Sequence, residues 1–552
     1  MLVYQLYHLV RADFLDRIRR SSFVVVIGLA LFAGYLFVPP LSAPYTSFVV
    51  ASHRGFYNSP WVGTLFGVTA ATLLTLIGFY LVKNSIGRDY ETRVGQVIAT
   101  TPLGKVLYMA GKWLSNVLVL GVILGVLSVI APLMQIVRAE VAHVDLMALW
   151  TPIWMMGFPA LMFVGALAVL FESVPLLRGG LGNIIYFFIW GPFLIGSSTQ
   201  QFVMGGKPAF TFDFAGMARI VYDIKQQLID AGADISKGIF GVIGPVDASN
   251  VTRFTWDGIQ WTPEIILERL LWVALGVIPV MIAAAVFNRF DPAGGAILAR
   301  RGEAPLRRLA RLIRLPGSAV RTGDKEEREA AALPAGRRAV ELTPLDKRTQ
   351  HTRFLSIVRM ELTLMVKGHG WWWYVGAIGL IVATPLVPLE KAAQILFAAA
   401  WLWPILVWSK MGNLELRHQT HQIVFSAPYP LRRQLPATWV AGVAIAAVLA
   451  AGFMMRTLLA GHWQYLYAPL IGALFVPTLA LALGVWTNGS RMFEVVYLLL
   501  WYISVQGGTT VFDYRGATVE AVAAGVPFYY LAATIGLMLL AVLGRHKQMR
   551  LQ

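Results

Sequence analysis

The chain contains no cysteine, which excludes disulfides, iron–sulfur clusters and thiolate zinc sites. Charge is scarce as well. Asp, Glu, Lys and Arg make up 14% of its 552 residues, where soluble domains carry roughly a quarter. Ionisable residues are nearly absent from the interiors of the long apolar runs. Glu172, Glu268 and Glu494 fall near run ends, within expected reach of water. A charge at the bilayer centre costs about 2.5–3.5 kcal/mol on insertion scales, and those retained usually mark ion pathways. Their absence argues against an ion-coupled carrier.

Two chemical signatures are missing. No Gly-x-x-x-x-Gly-Lys-Ser/Thr loop occurs, so the chain has no P-loop cradle for nucleotide phosphates. No His-Glu-x-x-His occurs, and the nine histidines are scattered. His418 and His421 lie three apart without a third ligand nearby, as expected of a solvated loop. No catalytic residue and no metal site is expected.

What the chain has in abundance is apolar sequence: 57% hydrophobic residues and a mean hydropathy of +0.64. It reads as an all-α polytopic membrane protein. A helix crossing the bilayer needs about 20 apolar residues. Candidate spans lie at 22–39, 61–83, 113–133, 148–171, 184–204 and 266–287, then at 371–388, 393–410, 438–456, 466–487, 493–507 and 526–544. No cleavable leader is expected, because a long charged segment precedes the first run.

The net charge of +17 follows the spans and does not suggest nucleic acid as a partner. Arg11, Arg17, Arg19 and Arg20 precede the first span, and Lys83, Arg88, Arg93, Lys105 and Lys112 lie between the second and third. The opposite short loops hold about one cation each. The positive-inside rule then puts both termini in the cytoplasm of a bacterial-type inner membrane, with the lipid bilayer as an obligate partner.

The sequence repeats itself. Gln96, Pro102 and Trp113 match Gln422, Pro428 and Trp439 at one fixed offset, each set between two apolar runs. Six is even, so the repeat predicts two parallel six-helix halves, at 1–288 and 353–552, rather than inverted ones. Val3, Leu6, Tyr7, Val10, Phe14 and Ile18 recur at helical spacing before the first span, and Leu355, Val358, Leu362 and Met365 before the seventh. Both predict amphipathic helices lying in the interface. Residues 289–352 read as a basic, unstructured cytoplasmic linker. Residues 205–263 form the one sizeable outer segment, with a short amphipathic helix through Ile220, Ile224 and Leu228.

These features resemble the permease subunits of ABC-2-type exporters, in a fused form with two six-span halves. The resemblance covers nearly the whole chain. Local matches include Arg178-Gly179-Gly180-Leu181-Gly182-Asn183 leading to Tyr186 and Trp190, and Asn488-Gly489-Ser490-Arg491-Met492-Phe493-Glu494 leading to Tyr497 and Trp501. Phe287-Asn288-Arg289-Phe290-Asp291-Pro292 adds to them.

The resemblance implies that residues 84–105 and 411–433 are coupling helices for two copies of a separate P-loop ATPase, with ATP and magnesium held on those partners. The candidate docking residues are Arg88, Asp89, Glu91, Arg93, Gln96 and Pro102 in the first copy. In the second they are Glu415, Arg417, Gln422 and Pro428. The charged members suit a polar partner surface, and Val97, Ile98, Val424 and Phe425 suit an apolar anchor.

Thr72, Thr75 and Phe79 are candidates for the lining of a pathway between the halves, for an amphipathic or apolar substrate. The alternatives are an ion-coupled secondary transporter and a non-transporting membrane scaffold or sensor.

Overall fold

The computed structural model describes residues 2–19, 21–40, 46–138, 140–141, 143–203, 213–233, 235, 241–244, 251–288, 290, 354–367, 371–427, 429–506 and 510–550. The expected linker (apart from Phe290), Pro428 and much of the outer segment lie outside the described residues. So does the side chain of Glu91.

The described chain is a body of membrane-type helices. Eight are long and apolar enough to cross a bilayer: Ser59–Tyr90, Lys105–Arg138, Leu146–Ser173, Pro263–Val286, Leu389–Trp408, Pro430–Leu459, Tyr467–Thr487 and Val526–Arg550. Three shorter apolar helices join them, at Val26–Phe37, Gly180–Gly191 and Trp373–Leu386. A further helix of sixteen residues spans Arg491–Gln506.

In chain order, α1 (Leu2–Ile18) leads into α2 (Ser21–Phe37). The next long helix is composite: α3 (Ser59–Thr69), a π-helical turn at Ala70–Leu74, and α4 (Thr75–Val82). Asn58 starts it, its side-chain oxygen accepting from Trp61 N at 2.9 Å. Two short helices, α5 (Ser85–Glu91) and α6 (Val94–Thr100), precede the 34-residue α7 (Lys105–Arg138). Then come α8 (Leu146–Ser173), begun by the Asp145 cap, α9 (Pro175–Arg178) and α10 (Gly180–Val203). The outer helix α11 (Met217–Asp230) buries Ile220, Ile224 and Leu228, as their spacing predicts. Gly276 separates α12 (Pro263–Leu275) from α13 (Val277–Val286).

The remainder repeats much of this order. Helix α14 (Phe354–Val366) precedes α15 (Trp371–Ala383). The next apolar helix is again composite, with α16 (Leu389–Lys391), a π turn at Ala392–Leu396, α17 (Phe397–Leu402) and α18 (Ile405–Trp408). Two short helices follow, α19 (Leu414–Arg417) and α20 (His421–Phe425), and then the long α21 (Pro430–Leu459). Helices α22 (Tyr467–Thr487), α23 (Arg491–Gln506), α24 (Val519–Ala523) and α25 (Val526–Arg550) complete the chain. Each lead-in helix packs on the long helix that follows the paired short ones: α1 on α7, and α14 on α21.

Three sequence expectations change. Helices α7 and α21 run well past the apolar windows at 113–133 and 438–456, because their polar first turns continue the helix beyond the hydrocarbon. Helix α1 turns Asp13 towards the protein, while Leu2, Val3, Tyr4 and Tyr7 stay exposed to the surroundings. Beside the helices are two small sheets. Strand β1 (Thr46–Val49) pairs antiparallel with β3 (Gly241–Gly244), and β2 (His53–Gly55) pairs parallel with β4 (Thr252–Phe254), tying the loop after α2 to the outer segment.

One close helix contact is set by Gly63 and Gly67. A Cβ on Gly63 would meet the Leu149 backbone, and one on Gly67 the Pro152 carbonyl at 2.8 Å. Small residues four apart let two membrane helices approach backbone to backbone. Because the obstacle is main chain, no rotamer change relieves it. Gly67→Leu should therefore force α3 from α8 and cost about 1–3 kcal/mol, read as a lower melting temperature of the purified protein. An unchanged melting temperature would contradict the contact.

Candidate functional site

The repeated motif folds twice into a pair of short helices, here called a knob. In the first, the backbone leaves α4 at Lys83, turns through left-handed Asn84 and enters α5. A helix start leaves four N–H groups without partners. Here Glu172, at the end of α8, sits beneath them. Its carboxylate accepts from Asn84 N, from Ser85 N at 2.9 Å, from Ile86 N at 2.6 Å and from Gly87 N at 3.1 Å. The negative charge also suits the positive end of the helix dipole. Glu172 is only 1% exposed. The expectation that it reaches water is wrong, because the cap consumes it.

A second joint holds the middle of α5. Asp89 accepts from the Tyr108 hydroxyl at 2.6 Å and pairs with Lys112 at 2.9 Å. Lys112 also pairs with Asp13 at 2.8 Å, and Asp13 further meets Arg17 at 2.5 Å, Arg88 at 2.9 Å and the Ser115 hydroxyl at 2.7 Å. Arg88 reaches Asp16 at 2.7 Å. Three carboxylates thus balance three cations, joining α1, α5 and α7. Burial alone would raise the Asp13 pKa, but the charges of Lys112 and Arg17 outweigh it and hold the carboxyl well below the usual range.

An aromatic cluster backs the joint. Phe290 lies 4.8 Å from Tyr90 between ring centroids, and Phe287 stacks on Tyr108 at 5.5 Å. Gly95 of α6 sits directly against the Phe290 ring. Arg93, left-handed at φ 60°, separates α5 from α6. The outward surface is then Arg93, Val94, Gln96, Val97, Thr100, Thr101 and Pro102, with Val97 66% exposed.

The second knob uses the same backbone device with different chemistry. Gln419, which matches Arg93 in the repeat, is also left-handed, at φ 56°, and separates α19 from α20. Glu415, which matches Asp89, is buried. It accepts from Gln434 Nε2 at 2.5 Å and lies 3.5 Å from Arg545 of α25. Arg545 also covers the Phe425 ring at 4.9 Å. Behind it Glu361 of α14 takes the place of Asp13, with hydrogen bonds from Thr438 and Gln434 where the first knob has Lys112 and Tyr108. Burial, and then the neighbouring Glu415 charge, push the Glu361 pKa up. Outward stand Arg417, His418, Gln419, Gln422 and Ile423, the last 76% exposed.

Several candidate docking residues therefore face the wrong way for a partner. Arg88, Asp89 and Glu415 turn inward as joints. Arg93, Gln96, Pro102, Arg417 and Gln422 remain outward. Val97 and Ile423 are the most exposed aliphatic groups of the knobs; Ile98, Val424 and Phe425 are only half-exposed.

The pathway candidates are packed between α4 and α10. Thr75 donates to Ala71 O and Thr72 O and accepts from Trp190 Nε1 at 3.0 Å. Phe79 stacks on Tyr186 at 3.5 Å, and Thr72 is buried beside them. Among the described residues no three His, Asp or Glu side chains are placed to hold a metal ion.

The two joints respond to pH with opposite sign. Asp13, depressed in the folded state, contributes stability that is fully present above its unfolded pKa of about 3.9 and is lost as pH falls below it. Glu361, raised in the folded state, favours the fold most below its unfolded pKa of about 4.3, and that contribution fades as pH rises through the folded value. In melting experiments at pH 7.5, Asp13→Asn should therefore lower the midpoint and Glu361→Gln should raise it. The Glu361→Gln difference should shrink towards pH 4, whereas the Asp13→Asn difference should persist to about pH 4 and shrink only below it. The same sign for both variants would refute this assignment.

No protein-family model matches the chain, and no curated protein or solved structure matches it either.

Proposed function

We propose that the chain is the membrane permease of an ATP-driven exporter, with twelve spans in two parallel six-helix halves. Two copies of a separate P-loop ATPase would dock on the two knobs, bringing ATP and magnesium with them. The observation carrying this reading is the pair of knobs itself. At matching positions of the repeat, two short helices split by a left-handed residue present an exposed aliphatic group outward and anchor a buried carboxylate inward. An anchor of solvated loop would dissipate a push; a capped helix bonded to three neighbours passes it on. The wide distribution of Lys and Arg around the knobs supports a cytoplasmic location, with both termini on that side of a bacterial-type inner membrane. The substrate is proposed to be amphipathic or apolar, given the aromatic-rich helix faces and few fixed charges.

One observation favours the ion-coupled alternative. Glu494 is 2% exposed, far more enclosed than its place near a helix end implies. Gradient-driven flux by the purified chain alone would establish that reading.

The docking proposal is tested by Val97→Asp with Ile423→Asp, two changes on exposed surface that touch neither joint. Affinity purification of the unaltered chain from its native membrane should bring down a P-loop ATPase. The double variant should lose at least tenfold of that recovery while keeping its elution volume. Undiminished recovery, or no P-loop protein with the unaltered chain, would reject the reading.

A further inference from the structure

The sequence places Asn183 and Glu494 at equivalent positions of two matching segments, as the paired Tyr186/Tyr497 and Trp190/Trp501 show. In the fold they touch. Asn183 Nδ2 of α10 donates to Glu494 Oε2 of α23 across 311 residues of sequence. A second equivalent pair stands behind them. Lys83, at the end of α4, donates to Asn183 Oδ1 at 2.6 Å, and Ser409, its counterpart after α18, hydrogen-bonds Glu494. All four side chains are buried. One turn or more along α10 and α23, aromatic rings close the same seam: Phe187 lies 6.1 Å from Trp501 and 6.0 Å from Tyr502, and Trp190 lies 6.1 Å from Tyr502.

The chemistry of this line is unusual for a permanent joint. Lys83 is satisfied within its own half, by Asn183 Oδ1, Leu177 O at 2.9 Å and Gly179 O at 3.2 Å. Ser409 serves Glu494 within the other. Only a neutral amide bridges the two. A direct Lys–Glu pair across the seam would leave two buried charges uncompensated on parting, which is severe. With an amide between them, separation breaks one charge-assisted hydrogen bond and leaves each charge its local partners. Gly180 permits the approach: a Cβ there would meet Leu406 Cδ2 and lie 3.1 Å from Glu494 Oε1.

We infer that Lys83, Asn183, Glu494 and Ser409 form a reversible latch that closes the seam between the halves on the knob-bearing side, and that it parts to admit substrate. This rests on the transport reading above and assigns that pathway its gate. Asn183 and Glu494 are positioning residues here, not substrate ligands.

The absence of cysteine makes the test direct. A single cysteine replacing Phe187, behind the latch, is labelled with a membrane-impermeant maleimide from the knob-bearing side. Labelling of the purified chain in sealed vesicles, with the knob-bearing side outward, should be slow, and Gly180→Val or Glu494→Ala should accelerate it at least fivefold. Gly180→Val serves should Glu494→Ala fail to fold. Unchanged labelling in a folded variant overturns the latch without any reference to ATPase docking. In membranes where the ATPase co-purifies, cysteines at positions 183 and 494 are oxidised with copper phenanthroline. The disulfide yield should differ at least threefold between nucleotide-free and vanadate-trapped states. Equal yields, or no disulfide in either state, overturn the proposal and leave the docking reading standing.

Discussion

The rest of the structure depends on how the short helix α5 is fixed to the long apolar helices beside it. Glu172 performs this for the first knob. One buried carboxylate satisfies the open N-terminal amides of α5 and binds it to α8. Each of those amides, left buried and unpaired, would cost about 1–3 kcal/mol, so the cap is the condition for α5 existing at that place. The ionic joint of Asp13, Lys112 and Asp89 adds α1 and α7. Together they make a lever attached at three points.

The two levers share geometry and differ in charge. In the first, three cations meet three carboxylates, and Phe287 and Phe290 back the contact. In the second, Thr438 and Gln434 replace Lys112 and Tyr108, and Arg545 from the last helix supplies the cation facing Glu361 and Glu415. The first joint is thus charge-balanced and the second carries an excess acid. The two knobs therefore need not be held with equal stiffness, and this difference has a concrete chemical origin.

Much of this was legible in the sequence. Hydropathy located the apolar helices, since the bilayer imposes length and composition together, although α7 and α21 begin well before their apolar windows. The repeat located both knobs, because a motif between two apolar runs returns to the same face. Residue type did not reveal direction. Arg88 and Asp89 look like solvated charges, yet their partners sit on α1 and α7, some 75 and 23 residues away in sequence. Glu172 looked like a residue at a helix end, and only the fold shows which amides it meets. Phe287 and Phe290 stood in a noted motif whose role needed contact geometry. The π turns at Ala70–Leu74 and Ala392–Leu396 left no trace in composition, and the paired strands near the outer segment are too short for alternation to register.

Rigid levers make a specific demand on motion. If the joints hold, the knobs move with α7, α8 and α21 as bodies, and closure of the proposed ATPase partners would change their separation without unravelling them. Spin labels on cysteines placed at Val97 and Ile423, read by double electron–electron resonance in the complex, measure that separation. Rigid joints predict a narrow distance distribution that shifts on ATP binding and stays narrow. A broad distribution indifferent to nucleotide would contradict it.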